Sequence, residues 1–105
     1  MIDIKENVRQ NLSRLEREVK EATKSSEERI KLKYAFLLGV SDFLNGIFTN
    51  TDNVDIIIRE FYLEGFDLGT HYSFNEVPLA LDEYKEILSK LKEKNSVLLE
   101  RIFGE

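Results

Sequence analysis

The sequence predicts an all-α fold, an antiparallel four-helix bundle with helices over residues 3–23, 26–48, 52–71 and 76–102. Three observations carry this. The apolar residues recur at helical spacing along the whole chain, with no run that alternates at the period of a strand. There is a single proline, Pro78. The polar breaks between apolar-periodic segments are short, and short breaks between long helices make antiparallel neighbours.

The first helix carries Val8, Leu12, Leu15, Val19 and Ala22 at steps of four and three, a single stripe on a charged rod. The segment KSSEE interrupts it. Ser25 and Glu28 have the spacing of a capping box, in which each side chain satisfies an orphan backbone N–H of the new helix. The second helix is apolar on two faces. Ile30, Tyr34, Leu37, Leu38, Leu44 and Phe48 mark one, and Leu32, Phe36, Val40, Phe43 and Ile47 the other. Such a helix is central to a core or covered by a partner chain. TNTDN, residues 49–53, supplies a turn and an N-cap.

The third helix turns Val54, Ile57, Ile58, Phe61, Leu68 and Tyr72 inward. Two endings suit it: Gly69 in the left-handed conformation, or continuation to about His71. Asn75 can cap the fourth helix, and Pro78 is tolerated in its first turn, where the N–H has no helical partner. That helix holds Val77, Leu81, Tyr84, Leu88, Leu91, Asn95, Leu98 and Ile102 at heptad spacing. Leu88, Leu91, Asn95 and Leu98 form a candidate dimer seam, because one buried Asn in a coiled coil fixes register and two-strand pairing. The same spacing also describes a seam inside one bundle.

The 105 residues predict one domain. The core is thin at this size, so oligomerisation would help it. The absence of cysteine excludes disulfides, a thiol nucleophile and a cysteine-ligated zinc site. The N-terminal residues lack an apolar signal core, and the longest apolar run, 34–48, is interrupted by Ser41, Asp42 and Asn45. A cytoplasmic protein with no membrane span is expected. The net charge of −5 argues against direct nucleic-acid binding.

The charge is unevenly placed. Residues 34–84 hold nine acids against one base, Arg59, and all of the eleven aromatics except Phe103. Glu60, Glu64, Asp67 and His71 follow steps of four, three and four, which puts them on one helical face. Three carboxylates and an imidazole could ligate a divalent metal or pair an acid with a base. The Glu-x-x-His pairs of helical di-metal sites are absent, and a solvated stripe ending in a histidine explains the same residues. No glycine-rich phosphate loop or nucleophile elbow occurs. The expectation is therefore a non-enzymatic protein without a cofactor.

Glycine costs about 1 kcal/mol relative to alanine inside a helix. Ala35, Gly39 and Gly46 on the second helix, with Gly65 and Gly69 on the third, therefore imply close packing or a pocket for a flat ligand. A hairpin about Asn50 would set Ala35 near Gly65 and Gly39 near Phe61. Asp42, Tyr62, Glu64, Phe66, Asp67, Tyr72 and Phe74 then make a candidate partner-binding surface, acidic and aromatic. It suits a basic protein partner, a second copy of the chain, or a nucleic-acid-binding protein deceived by phosphate-like charge. A subunit of a structural assembly is the remaining reading, as is a small-ligand or metal-binding bundle.

Overall fold

The computed structural model describes residues 3–103, which form five α-helices. These are α1 (Ile4–Ala22), α2 (Ser26–Asn45), α3 (Ile56–Gly69), α4 (Val77–Lys94) and α5 (Ser96–Phe103). In α1 the buried residues are Ile4, Val8, Leu15 and Val19, one stripe at steps of four and seven. Leu12 is half-buried, and Ala22 at the end of the predicted stripe is exposed. Half of the predicted capping box is present. The Glu28 N–H donates to Ser25 Oγ at 3.3 Å. The Ser25 N–H goes to Thr23 Oγ1 instead, while the Glu28 carboxylate accepts from Lys31 at 2.9 Å. That ion pair raises the Lys31 pKa, chiefly through its hydrogen bond to Glu28.

Helix α2 is the core of the molecule, as its two apolar faces imply. Leu32, Tyr34, Ala35, Phe36, Leu37 and Val40 are all at most 2% exposed, so every other helix that packs on it finds apolar surface. It ends at Asn45 rather than at residue 48. Gly46 is left-handed, with φ +71°, and its N–H reaches the Phe43 carbonyl while the Ile47 N–H reaches that of Asp42. This is a Schellman end, which only a residue without Cβ adopts cheaply. Gly46 is thus a terminator and not a packing glycine, and Ile47 and Phe48 leave the helix.

Helix α3 begins at Ile56, four residues after the expected start. Asn50 Oδ1 accepts from the Asp52 N–H, and the Val54 N–H bonds to the Thr51 carbonyl. These local turns hold residues 50–54 out of the helix. At its far end Gly69 is the last α-helical residue but is not left-handed, and the turn runs on past His71, near the expected end. Thr70, His71 and Tyr72 donate to carbonyls three residues back, so the helix tightens into a last non-α turn.

Asn75 does not cap helix α4; its N-cap residue is Glu76, without a side-chain cap, and Ser73 holds the turn before it. The Ser73 carbonyl accepts from Glu76 and Val77, and the Glu76 carboxylate accepts the Ser73 N–H at 2.9 Å. Those bonds hold the Glu76 carboxyl below its usual pKa. Asn95 is not a core position of one long helix. Its backbone (φ −129°, ψ 29°) leaves the helix, and its Nδ2 donates to the Leu91 carbonyl at 2.9 Å. The predicted fourth helix is therefore two helices. The break shifts the inward face by one residue, so Leu99 is buried while Leu98 is half-buried.

Helices α1 and α2 form a hairpin, with Glu16 and Lys33 paired at nearly equal distances from the turn. Helices α2 and α3 do not. Gly65 lies on Phe36, Gly39 on Tyr62 and Phe66, and Gly69 on Phe43. Gly69 meets Phe43 near the end of α2, while Val54, Asp55 and Ile58 at the start of α3 share a hollow with Glu28 and Lys31 at the start of α2, so these two helices run in the same direction. The expected hairpin about Asn50 is replaced by a crossover, residues 46–55, that returns along the bundle. Helix α4 then packs on α2 and α1, and α5 returns to the start of α2, where the Phe103 ring meets Tyr34 at 4.9 Å. The bundle is accordingly up, down, down, up. No helix among the described residues is long and apolar enough to cross a membrane.

The α2–α3 contact is the closest in the fold. A Cβ on Gly39 would overlap the Tyr62 carbonyl, and one on Gly65 would overlap that of Phe36. The two glycines let backbone meet backbone, which sets α3 deep enough to bury Tyr62 and Ile58.

Candidate protein-interaction face

The site begins with a buried polar knot. Asp42, 6% exposed, accepts the Tyr62 O–H at 2.8 Å and the Thr49 hydroxyl at 2.5 Å on the same oxygen. The Thr49 N–H donates to the Tyr62 oxygen at 2.9 Å. A carboxylate is costly to bury, and two donors on one oxygen offset part of that cost. Burial, with the hydrogen bond to Asp42, pushes the Tyr62 pKa up to about 12. The knot ties the crossover to the last turn of α2 and the middle of α3.

Phe48 sits one residue before Thr49 and is positioned by the knot. Its ring meets Tyr62 edge-on at 5.8 Å and Phe66 at 5.4 Å, and Phe66 meets Phe43 at 5.1 Å. These are favoured edge-to-face geometries. The outer ring is nonetheless 62% exposed, with Ile47 at 54% and Leu63 at 42% beside the cluster in sequence or on the adjoining helical turn. Ile56, seven residues before Leu63 and on the same side of α3, is 72% exposed.

Along the next side of α3 runs the acidic stripe, Glu60, Glu64 and Asp67, all exposed. His71 lies 3.7 Å from Asp67. Across a groove stands α1. One hollow of about 260 Å³ is lined by Arg14, Glu18, Glu64, Asp67 and His71 over Phe36 and Leu68. A second, about 430 Å³, continues past Glu18, Glu21, Glu60 and Glu64. The Glu64 pKa is raised by desolvation and by Glu18 and Glu60, against the opposing effect of Arg14. Among the described residues no three His, Asp or Glu side chains are gathered closely enough to hold a metal ion. The stripe Glu60, Glu64, Asp67 and His71 thus shares a face without converging on a point.

The predicted partner surface divides. Glu64, Asp67 and Phe66 belong to the face just described, with Phe66 half-buried. Asp42 and Tyr62 do not, because they are the buried knot. Tyr72 is half-buried and turned to the opposite end of α1. Its hydroxyl donates to Asn7 Oδ1 at 2.7 Å and meets the Tyr84 hydroxyl at 2.9 Å, with Asn11 donating to both rings' oxygens. Burial raises the pKa of both tyrosines. Phe74 is 93% exposed in the turn before α4, apart from the cluster. Of the candidate dimer seam, Leu88 and Leu91 pack on the molecule's own core, and Asn95 caps its own helix. Leu98 lines a shallow hollow with Ile30 and Val97.

Sequence reasoning missed Phe48, Ile47 and Leu63 as surface. The signal was present in Gly46, a glycine three residues before the polar stretch 49–53, which suits a helix end. No protein family, curated protein or solved structure matches the chain.

Proposed function

We propose that this is a non-enzymatic interaction protein that docks another protein on the outer side of α3 and the adjoining crossover. The observation that carries the reading is Phe48, an aromatic ring held by a buried hydrogen-bonded knot and yet 62% exposed. An ordered ring left in water loses the burial that would stabilise it, and rigid exposed aromatics are the usual anchors of protein interfaces. Phe66 and Leu63 extend the anchor, and Glu64 and Asp67 supply a polar rim. The reading favours a soluble protein acting in the cytoplasm without a cofactor.

The test is site-specific photocrosslinking in the source cells. A benzophenone side chain at position 63 should capture a discrete protein, and one at position 90 on α4 should not. The Phe48→Ala change should abolish the adduct at position 63. Equal capture from both positions, or capture indifferent to Phe48, would remove the reading.

A further inference from the structure

We infer that the partner segment is a basic amphipathic helix laid along α3, an inference that rests on the docking reading above. Ile56, Leu63 and Phe66 form an apolar row on the outer side of α3, which Phe48 widens at one end. From residue 56 to residue 66 the row is about 15 Å long at 1.5 Å per residue. That length takes two to three turns of a second helix, whose anchors would recur at three, four and seven residues. The backbone of α3 is already hydrogen-bonded within itself, so the row offers no edge to an extended strand.

The charge around the row selects a basic partner. One border of the row is Glu60, Asp67 and Glu64, and beyond it stand Glu18 and Glu21 of α1. The cations close by are few. Arg14 lies across the groove near Glu18, at 3.8 Å. Arg59, 3.8 Å from Asp52, stands on this same side of α3 between Ile56 and Leu63, three and four residues from them. Burial is the first cause that raises the Glu64 pKa, and Glu18 and Glu60 add to it against Arg14. A helix with leucine-like anchors and lysine or arginine along one flank satisfies both the row and its border. An antiparallel pairing with a second copy would set acidic border against acidic border, which disfavours it.

The probe is a synthetic Leu/Lys amphipathic helix of about four turns, titrated into the isotope-labelled full chain and followed by backbone amide shifts. Its controls are the same pattern with Glu for Lys and a Leu/Lys sequence of equal composition without amphipathic order. The expected result is binding of the first peptide only, with shifts centred on Thr49, Glu60, Leu63, Phe66 and Asp67. Affinity should fall at least tenfold in Leu63→Asp, an exposed position that leaves the core intact, and fall again in Glu60→Lys. Added salt should weaken it. Binding of the Leu/Glu peptide to the same face would overturn the basic partner while the docking face stood. No shift on this face with any peptide would remove both. A wild-type chain that sediments as a dimer, and as a monomer after Leu63→Asp, would make the occupant a second copy and overturn the inference.

Discussion

Removing one oxygen should loosen the proposed docking face from within. Tyr62→Phe deletes a donor to Asp42, in a buried bond, and the acceptor of the Thr49 N–H, in a part-buried one. The expected loss is about 1–3 kcal/mol, the usual cost of leaving buried polar groups unmade. Urea denaturation measures it, and amide exchange at Thr49 should accelerate by more than at residues of α4. An unchanged Thr49 rate would mean that the knot does not hold the crossover. At this scale the sequence was a poor guide. An acid and a tyrosine twenty residues apart read as surface, because charged groups are seldom buried without a partner and the partner here is supplied by a chain reversal. The helix stop at Gly46 was missed, because the apolar pattern runs on through Ile47 and Phe48 and the glycine also suited a packing position.

The pairing of α2 with α3 depends on two hydrogen atoms standing where methyl groups would be. Gly39→Ala and Gly65→Ala each add helix propensity of about 1 kcal/mol. Each also drives a Cβ into a neighbouring backbone carbonyl, where no rotamer can yield. Overpacking of this kind costs typically about 1–3 kcal/mol and more against backbone, so both variants should melt lower despite the better helix former. Gly46→Ala is the contrast. Nothing lies near its Cβ, so only the left-handed strain of about 1 kcal/mol should appear. A rise in melting temperature for Gly39→Ala would refute the close-contact account. The glycines announced tight packing from the sequence alone, because their helical cost needed a return. The direction of α3 was hidden. Spacing fixes which face is buried, not which way the chain travels, and the ten residues of 46–55 are long enough for either course. The α4–α5 break was hidden for a related reason: Asn95 fits a heptad register as well as a helix end.

Across the whole molecule the buried tyrosines set an alkaline limit. Tyr62 is raised from 10 to about 12, and Tyr84 is raised further by burial and by its bond to Tyr72. A group whose folded pKa lies above its unfolded value contributes its full stability below the unfolded value. Stability should therefore hold below pH 10 and fall as pH climbs through 10 toward 12 and beyond. Melting temperatures across that window, followed together with phenolate absorbance, check it. Tyr62→Phe should flatten the profile. The all-helical class, the central place of α2 and the breaks near residues 24, 49 and 74 were readable because period and polar punctuation are local signals. The crossover is not local, and its consequence is kinetic. In a chain of hairpins the first contacts close over a few residues. Here Phe36 meets Gly65 and Phe43 meets Gly69, separations of 65 − 36 = 29 and 69 − 43 = 26 residues. Loop closure over such lengths carries entropy that the α1–α2 hairpin does not, so the closest contact in the native state should also be a late one. Stopped-flow measurements on Gly39→Ala should then show faster unfolding with little change in the folding rate.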